Sequence, residues 1–225
     1  MLIFRFFFCK CFYASKKSVY LHTDRSVCIY MDNTKEFIID EAFKLFLNHS
    51  YEAVSISDIS KAIGFTKGAL YHHFKSKEEL FCSVIDKYVQ MQELIVDVET
   101  VSLEKYLQLS MAQTERIIRT LFSFSQIYTP INYISFISDA FRHYPGYAQE
   151  KGEFINGEIE KTQKVLEFAV KRGEIREDIN PLIVAMNLFS IDMGIAGNLV
   201  RNNSIEEAIL LLKDQIAEFY KLLKK

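Results

Sequence analysis

The sequence predicts an all-α protein, built as a three-helix helix-turn-helix head followed by a larger helical body. Three observations predict it. Glycine (8) and proline (3) are scarce in the 225 residues, which starves the chain of the turn residues that many short strands need. Apolar residues recur at helical spacing through most of the chain. The Ser-x-x-acid signature of a helix N-terminus occurs at Ser55/Asp58, Ser76/Glu79 and Ser204/Glu207. With 49% hydrophobic and 25% charged residues there is enough apolar material for one good core or two small ones. A net charge of -2 excludes a histone-like polycation, so any contact with nucleic acid must come from a local basic patch.

Residues 1–30 differ in kind from the rest. They carry Arg5, Lys10, Lys16, Lys17 and Arg25 against Asp24 alone, whereas the remainder carries more acid than base. The run Met1 to Tyr13 is apolar, but Arg5 and Lys10 interrupt it and it falls short of the roughly 20 residues that cross a bilayer. It also lacks the basic-then-apolar order of a secretory signal. Residues 1–30 are therefore expected to be an extension outside the fold, with Met31 as the natural initiator; a membrane-surface anchor is the alternative. The head is then expected over 31–78 and the body over 79–225. Of the four cysteines, Cys9, Cys11 and Cys28 lie in the extension and only Cys82 beyond it, so neither a disulfide framework nor a zinc module is expected.

The helices of the head follow in order. From Thr34, Ile38, Ala42, Leu45 and Phe46 form one apolar stripe of a helix that ends near Asn48. Ser55 and Asp58 open a second helix of about two turns, which buries Ile56, Ile59 and Ile63 and stops at Gly64, where a positive φ is needed. Thr66 caps a third, Lys67 to Phe74, and Ser76 with Glu79 starts a longer fourth. Such short helices are unstable alone and must pack on one another. Two short helices joined by a glycine turn after a supporting helix make a helix-turn-helix, whose second member enters the major groove. Between Asp58 and Glu78 there is no acid, while Lys61, Lys67, Lys75 and Lys77 are present with His72 and His73. That local charge suits a polyphosphate backbone.

The string from Ser55 to Leu80 (SISDISKAIGFTKGALYHHFKSKEEL) resembles the DNA-binding signature of TetR-family transcriptional regulators: a Gly, then Ser/Thr-Lys-Gly, Tyr-x-x-Phe, and a Lys-Glu pair before Leu. Ser60 stands where alanine is common, and His73 is one of several residues tolerated at its position. The resemblance implies that Thr66, Lys67, Gly68, Tyr71 and His72 face DNA and that Lys77 meets a phosphate; Ser55, at the start of the first helix of the pair, joins this set. The chemistry agrees. Thr66 caps and can donate to phosphate, Lys67 is a mobile cation, Gly68 permits close backbone approach, and Tyr71 offers a phenol and an aromatic face. The adjacent His72 and His73 point to different faces and make a poor metal pair.

Beyond Leu80 the spacing of Val84, Tyr88, Met91 and Ile95 predicts one long, stiff helix joining head to body. Residues 120–138 carry no charge but mix aromatics with hydroxyls and amides, and Pro130 divides them into two helical pieces. Apolar walls with a few placed polar groups describe a pocket, with Phe122, Tyr128, Tyr133, Phe136, Phe141 and Phe168 as its candidate lining; the alternative is an ordinary aromatic core. Residues 151–172 form an amphipathic helix stopped by Gly173. Residues 181–200 are apolar almost all round, and 204–223 carry a further stripe. Under the resemblance these last two helices form a two-fold homodimer; the alternative is burial within a monomer.

A pair of heads about 34 Å apart reads two half-sites of double-stranded DNA, so a palindromic operator is expected. The function expected is a cytoplasmic, nucleoid-associated regulator, a repressor released by a small hydrophobic or amphipathic effector; the alternative is a constitutive DNA-binding protein that acts through a protein partner. There is no nucleophile elbow, no phosphate-binding glycine loop and no metal-spaced cluster, so the sequence predicts neither an enzyme nor a bound cofactor or metal, and no membrane partner.

Overall fold

The computed structural model describes residues 24–89, 92–122, 130–202 and 204–225, with side chains described from Thr34 onward except that of Leu121. Ten helices form among them, and no strand. In the head, α1 (Asp24–Asn48) packs against α2 (Ile56–Ile63) and α4 (Lys77–Tyr88), and α2 packs against α3 (Lys67–His73). The stripe expected on α1 is buried at Ile38, Ala42 and Phe46, and it meets Ile59, Leu70, Phe74 and Leu80 in one core. Each such side chain removed from water contributes about 1.5–3 kcal/mol, more than short helices can gain from propensity.

Two expectations change here. Helix α1 begins at Asp24, so its backbone runs through the boundary drawn at residue 30; residues 1–23, on which the extension and anchor readings bear, lie outside the described residues. The boundary at 78/79 falls inside α4, whose Leu80, Phe81, Val84 and Ile85 belong to the head's core.

The long connector is corrected. Helix α4 ends at Tyr88, and Val89 leaves helical geometry with φ -116 and ψ 37. Ile95, expected on its buried stripe, is 90% exposed, and Met91 lies outside the described residues. The non-helical path from Gln92 onward is held by polar bonds instead: Lys161 Nζ donates to the Leu94 carbonyl at 2.9 Å, and Arg116 reaches the Gln92 side chain at 2.6 Å. A helical period in sequence does not see such competitors for the backbone.

The body consists of α5 (Leu103–Phe122), α6 (Pro130–His143), α7 (Tyr147–Lys171), α8 (Pro181–Met193), α9 (Ile195–Asn202) and α10 (Ile205–Leu223). Pro130 opens α6, Asn180 caps α8 by accepting from the Ile183 amide at 3.2 Å, and Ser204 caps α10 through the Glu207 amide at 3.2 Å. Helices α5, α7, α8, α9 and α10 share a second core that includes Leu103, Val165, Leu166, Val184 and Leu212. The apolar run 181–200 is two helices rather than one, divided at Gly194, where a Cβ would come within 3.1 Å of the Ile191 carbonyl oxygen. Its burial is one-sided: Val184, Ala185, Leu188, Ile195 and Leu199 face the core, while Leu182, Ile183, Met186, Met193 and Val200 are exposed. Pro181–Asn202 is long and apolar enough to cross a membrane by length and composition, yet it carries this Gly194 division and Asp192.

Helix α6 joins the two cores. Its Phe136 packs edge-on against Phe43 at 5.4 Å and Phe81 at 5.7 Å, inside the head's core. Asn132 donates to the Leu47 carbonyl at 2.9 Å, and the buried Asp139 carboxylate accepts from the Tyr51 amide at 2.8 Å. His143 bonds Glu52 at 2.7 Å and stacks on Tyr51.

Candidate nucleic-acid interface

Helix α3 is short because its ends are fixed. Gly64 holds φ +71, and its amide donates to the Lys61 carbonyl at 3.3 Å while that of Phe65 donates to Ser60 at 3.0 Å, which closes α2. Thr66 then accepts from the Ala69 amide at 3.2 Å and opens α3. At the other end Phe74 is buried and extended. Leu70 and Phe74 pin α3 to the head, and this fixes what faces out: Lys67, Gly68, Tyr71 and His72 are all exposed on one side, Tyr71 by 51%. A tyrosine turned that far into solvent, beside a core that buries Phe46, Phe74 and Phe81, has been left out of the packing.

Gly68 carries the same message. A Cβ there would meet only Thr66 Oγ1, at an ordinary 3.9 Å, so nothing inside the chain requires glycine. Lys61, Lys67 and Lys75 make no ion pair among the described residues. His73 is half-buried, and burial, then the neighbouring His72 and Lys35, hold its imidazole below the usual histidine range. Ser55 is an exposed N-cap whose hydroxyl accepts from the Asp58 amide at 3.2 Å, while the Asp58 carboxylate accepts from the Ser55 amide at 3.0 Å.

Lys77 does not fit the expected role. Its ammonium donates to the carbonyls of Tyr51 at 2.8 Å and Val54 at 3.0 Å and lies 3.9 Å from the Tyr51 ring centre. Two carbonyls left open by the turn after α1 capture the cation, so Lys77 ties the α1–α2 turn to the start of α4 instead of reaching outward.

Residues 38–84 match the family model of bacterial regulatory proteins, tetR family. Over these residues the head carries the TetR-family signature. The uncharacterized HTH-type transcriptional regulator YwcC of Bacillus subtilis (strain 168) is 35% identical over 68 residues, which are 30% of this chain and 30% of YwcC. The HTH-type transcriptional repressor ComR of Escherichia coli (strain K12) is 42% identical over 55 residues, 24% of this chain and 26% of ComR. The matches thus span less than a third of either relative. The crystal structure of NalD, the secondary repressor of the MexAB-OprM multidrug efflux pump in Pseudomonas aeruginosa, superposes with a TM-score of 0.60 at 16% identity, covering 88% of this chain and 98% of NalD. That likeness is one of fold, and it extends through the helical body.

The body holds a partly open cavity of about 520 Å³ lined by residues of α4 through α10. Of the aromatics expected to line it, Phe122 and Tyr133 do. Phe136 does not: it is 1% exposed within the head's core. Phe141 faces solvent and packs edge-on against Tyr147, and Phe168 lies under Lys171, with its ring centre 4.7 Å from the ammonium; neither borders the cavity. Tyr128 lies outside the described residues. The wall comes instead from several helices, including Tyr88 of α4, Tyr106, Thr114 and Ile118 of α5, and Leu188 and Asp192 of α8. Tyr106 bonds Thr162 at 2.7 Å, and burial pushes its phenol up to about 12. Asp192 accepts from the Thr114 hydroxyl at 3.0 Å, and burial raises its carboxyl above the usual aspartate range.

Glu52, Asp139 and His143 also bring donor atoms within 4.8 Å of one another. His143 and Glu52 bond each other and Asp139 holds the Tyr51 amide, so the three act as the polar part of the seam between head and body.

Proposed function

We propose that the protein is a dimeric repressor that binds a palindromic operator through α3 and is released from it by a small apolar or amphipathic effector held in the body. The observation that carries the DNA-binding part is the outward side of α3: Lys67, Gly68, Tyr71 and His72 exposed together, with no acid between Asp58 and Glu78. A cation, a bare backbone and an upright phenol are what a phosphate edge and a groove wall accept. The exposed side of α8 and α9 supports the dimer. Leu182, Met186, Met193 and Val200 form a stripe that a second copy would cover, together with Leu210 on α10, in an isologous interface.

The cavity favours an effector over the constitutive reading, because a core that only supports the head has no reason to stay open at a volume suited to a small ligand. DNA selected from random oligonucleotides supplies the operator, and gel shifts with Lys67→Ala/Tyr71→Ala supply the test. The double variant is expected to lose about 3 kcal/mol of binding, roughly a hundredfold, with an unchanged circular dichroism melt. Unchanged affinity would remove α3 as the reading surface.

A further inference from the structure

The polar groups around the cavity are matched on one side and unmatched on the other. Tyr106 has Thr162, and Asp192 has Thr114. Helix α7 supplies Tyr147 and Lys151, one turn apart on the same face. Tyr147 is 3% exposed, lines the cavity, and its hydroxyl has no hydrogen-bond partner among the described residues. Lys151 lines the same cavity and makes no ion pair among the described residues; its neighbour is the Phe154 ring, 5.5 Å from the ammonium. Burial holds its ammonium below the usual lysine range, and no acid offsets that burial. The stretch 123–129 (SFSQIYT) contains no carboxylate.

A buried donor without an acceptor and a desolvated cation without an anion are both unfavourable, and buried polar groups in proteins are normally matched. One ligand group corrects both. We propose that the cavity takes a monoanionic amphiphile, an apolar body ending in a carboxylate, whose two oxygens are received by Lys151 Nζ and the Tyr147 hydroxyl. This rests on the reading of the body as the effector domain and gives that effector a chemistry. The tail lies among Ile117, Ile118, Phe122, Leu188 and Phe189, which line the rest of the wall. A cationic amphiphile would have to use Asp192, whose oxygen already holds Thr114 and whose burial favours the neutral acid. A neutral alcohol would leave the lysine unpaired.

Isothermal titration of the full chain with decanoate, decan-1-ol and decylammonium, below their aggregation concentrations, tests the assignment. Decanoate is expected to bind at least tenfold more tightly than the alcohol, and decylammonium more weakly than either. Lys151→Met is expected to lower decanoate to the level of the alcohol and leave the alcohol unchanged. Tyr147→Phe is expected to weaken decanoate several-fold by the same comparison, and it keeps the ring in place should the lysine variant unfold. Binding of decylammonium at or above decanoate, a carboxylate preference that survives Lys151→Met, or no binding of decanoate by the folded chain overturns the proposal. Gel shifts with operator DNA are read separately, so a failed titration leaves the head's role standing, and a failed gel shift leaves the titration interpretable.

Discussion

Head and body use aromatic side chains in opposite ways. In the head, Phe43, Phe46, Phe74 and Phe81 are packed solid, and the exposed phenol ring of Tyr71 on α3 stands out against them. In the body, Tyr106, Phe122, Tyr133 and Tyr147 line a space that they leave unfilled. A full core makes its surface exception informative; an unfilled core makes its interior informative. The two meet at α6, where Phe136 closes the head's core and Tyr133, one turn earlier, faces the cavity.

The sharpest way to break that contrast is at the seam. Phe136→Ala is expected to cost about 3–5 kcal/mol and to lower the unfolding of head and body together in a single calorimetric transition. Two separate transitions would show that α6 does not unite the cores. Next, Lys77→Met removes two hydrogen bonds and a ring contact, and about 1–3 kcal/mol of stability is expected to go with them in a urea melt. If Lys77 is structural, the dependence of operator affinity on salt keeps its slope in this variant, whereas Lys67→Met lowers that slope by about 1.

Gly68→Ala separates stability from binding within one residue. The space around it is open, so the melting temperature is expected to hold or rise slightly, while operator affinity falls roughly tenfold because a methyl now stands where backbone approaches DNA. The smallest effect concerns the body. Burial raises the folded-state value of Asp192 above its unfolded value, so the neutral acid is favoured in the fold and stability is lost as pH rises through the folded value. Asp192→Asn is expected to match the native protein at pH 3 and exceed it by about 1 kcal/mol or less at pH 8, read from paired thermal melts.

The head was readable from sequence because its signals are local. Ser55, Gly64, Thr66 and Ser76 each fix a helix end within four residues, and all four do so in the structure. Lys77 escaped because its partners, the Tyr51 and Val54 carbonyls, are more than twenty residues away and backbone carbonyls leave no mark in sequence. The cavity escaped for a related reason. Its wall draws on α4 through α10, and aromatic character alone does not tell a cavity wall from a packed or exposed ring, so Phe136, Phe141 and Phe168 read as lining while Tyr106, Thr114 and Leu188 do not. One signal was available. Lys151 shares a helical stripe with Ile155 and Ile159, where an apolar residue is the usual occupant.

The unfilled space also makes the body mechanically soft. Unfolding under hydrostatic pressure is driven by the voids that it eliminates, and a space of about 520 Å³ concentrates those voids away from the head. Compression should therefore reach the α5–α9 layer first and spare the trihelical head, and a molecule seated inside would act as an incompressible plug.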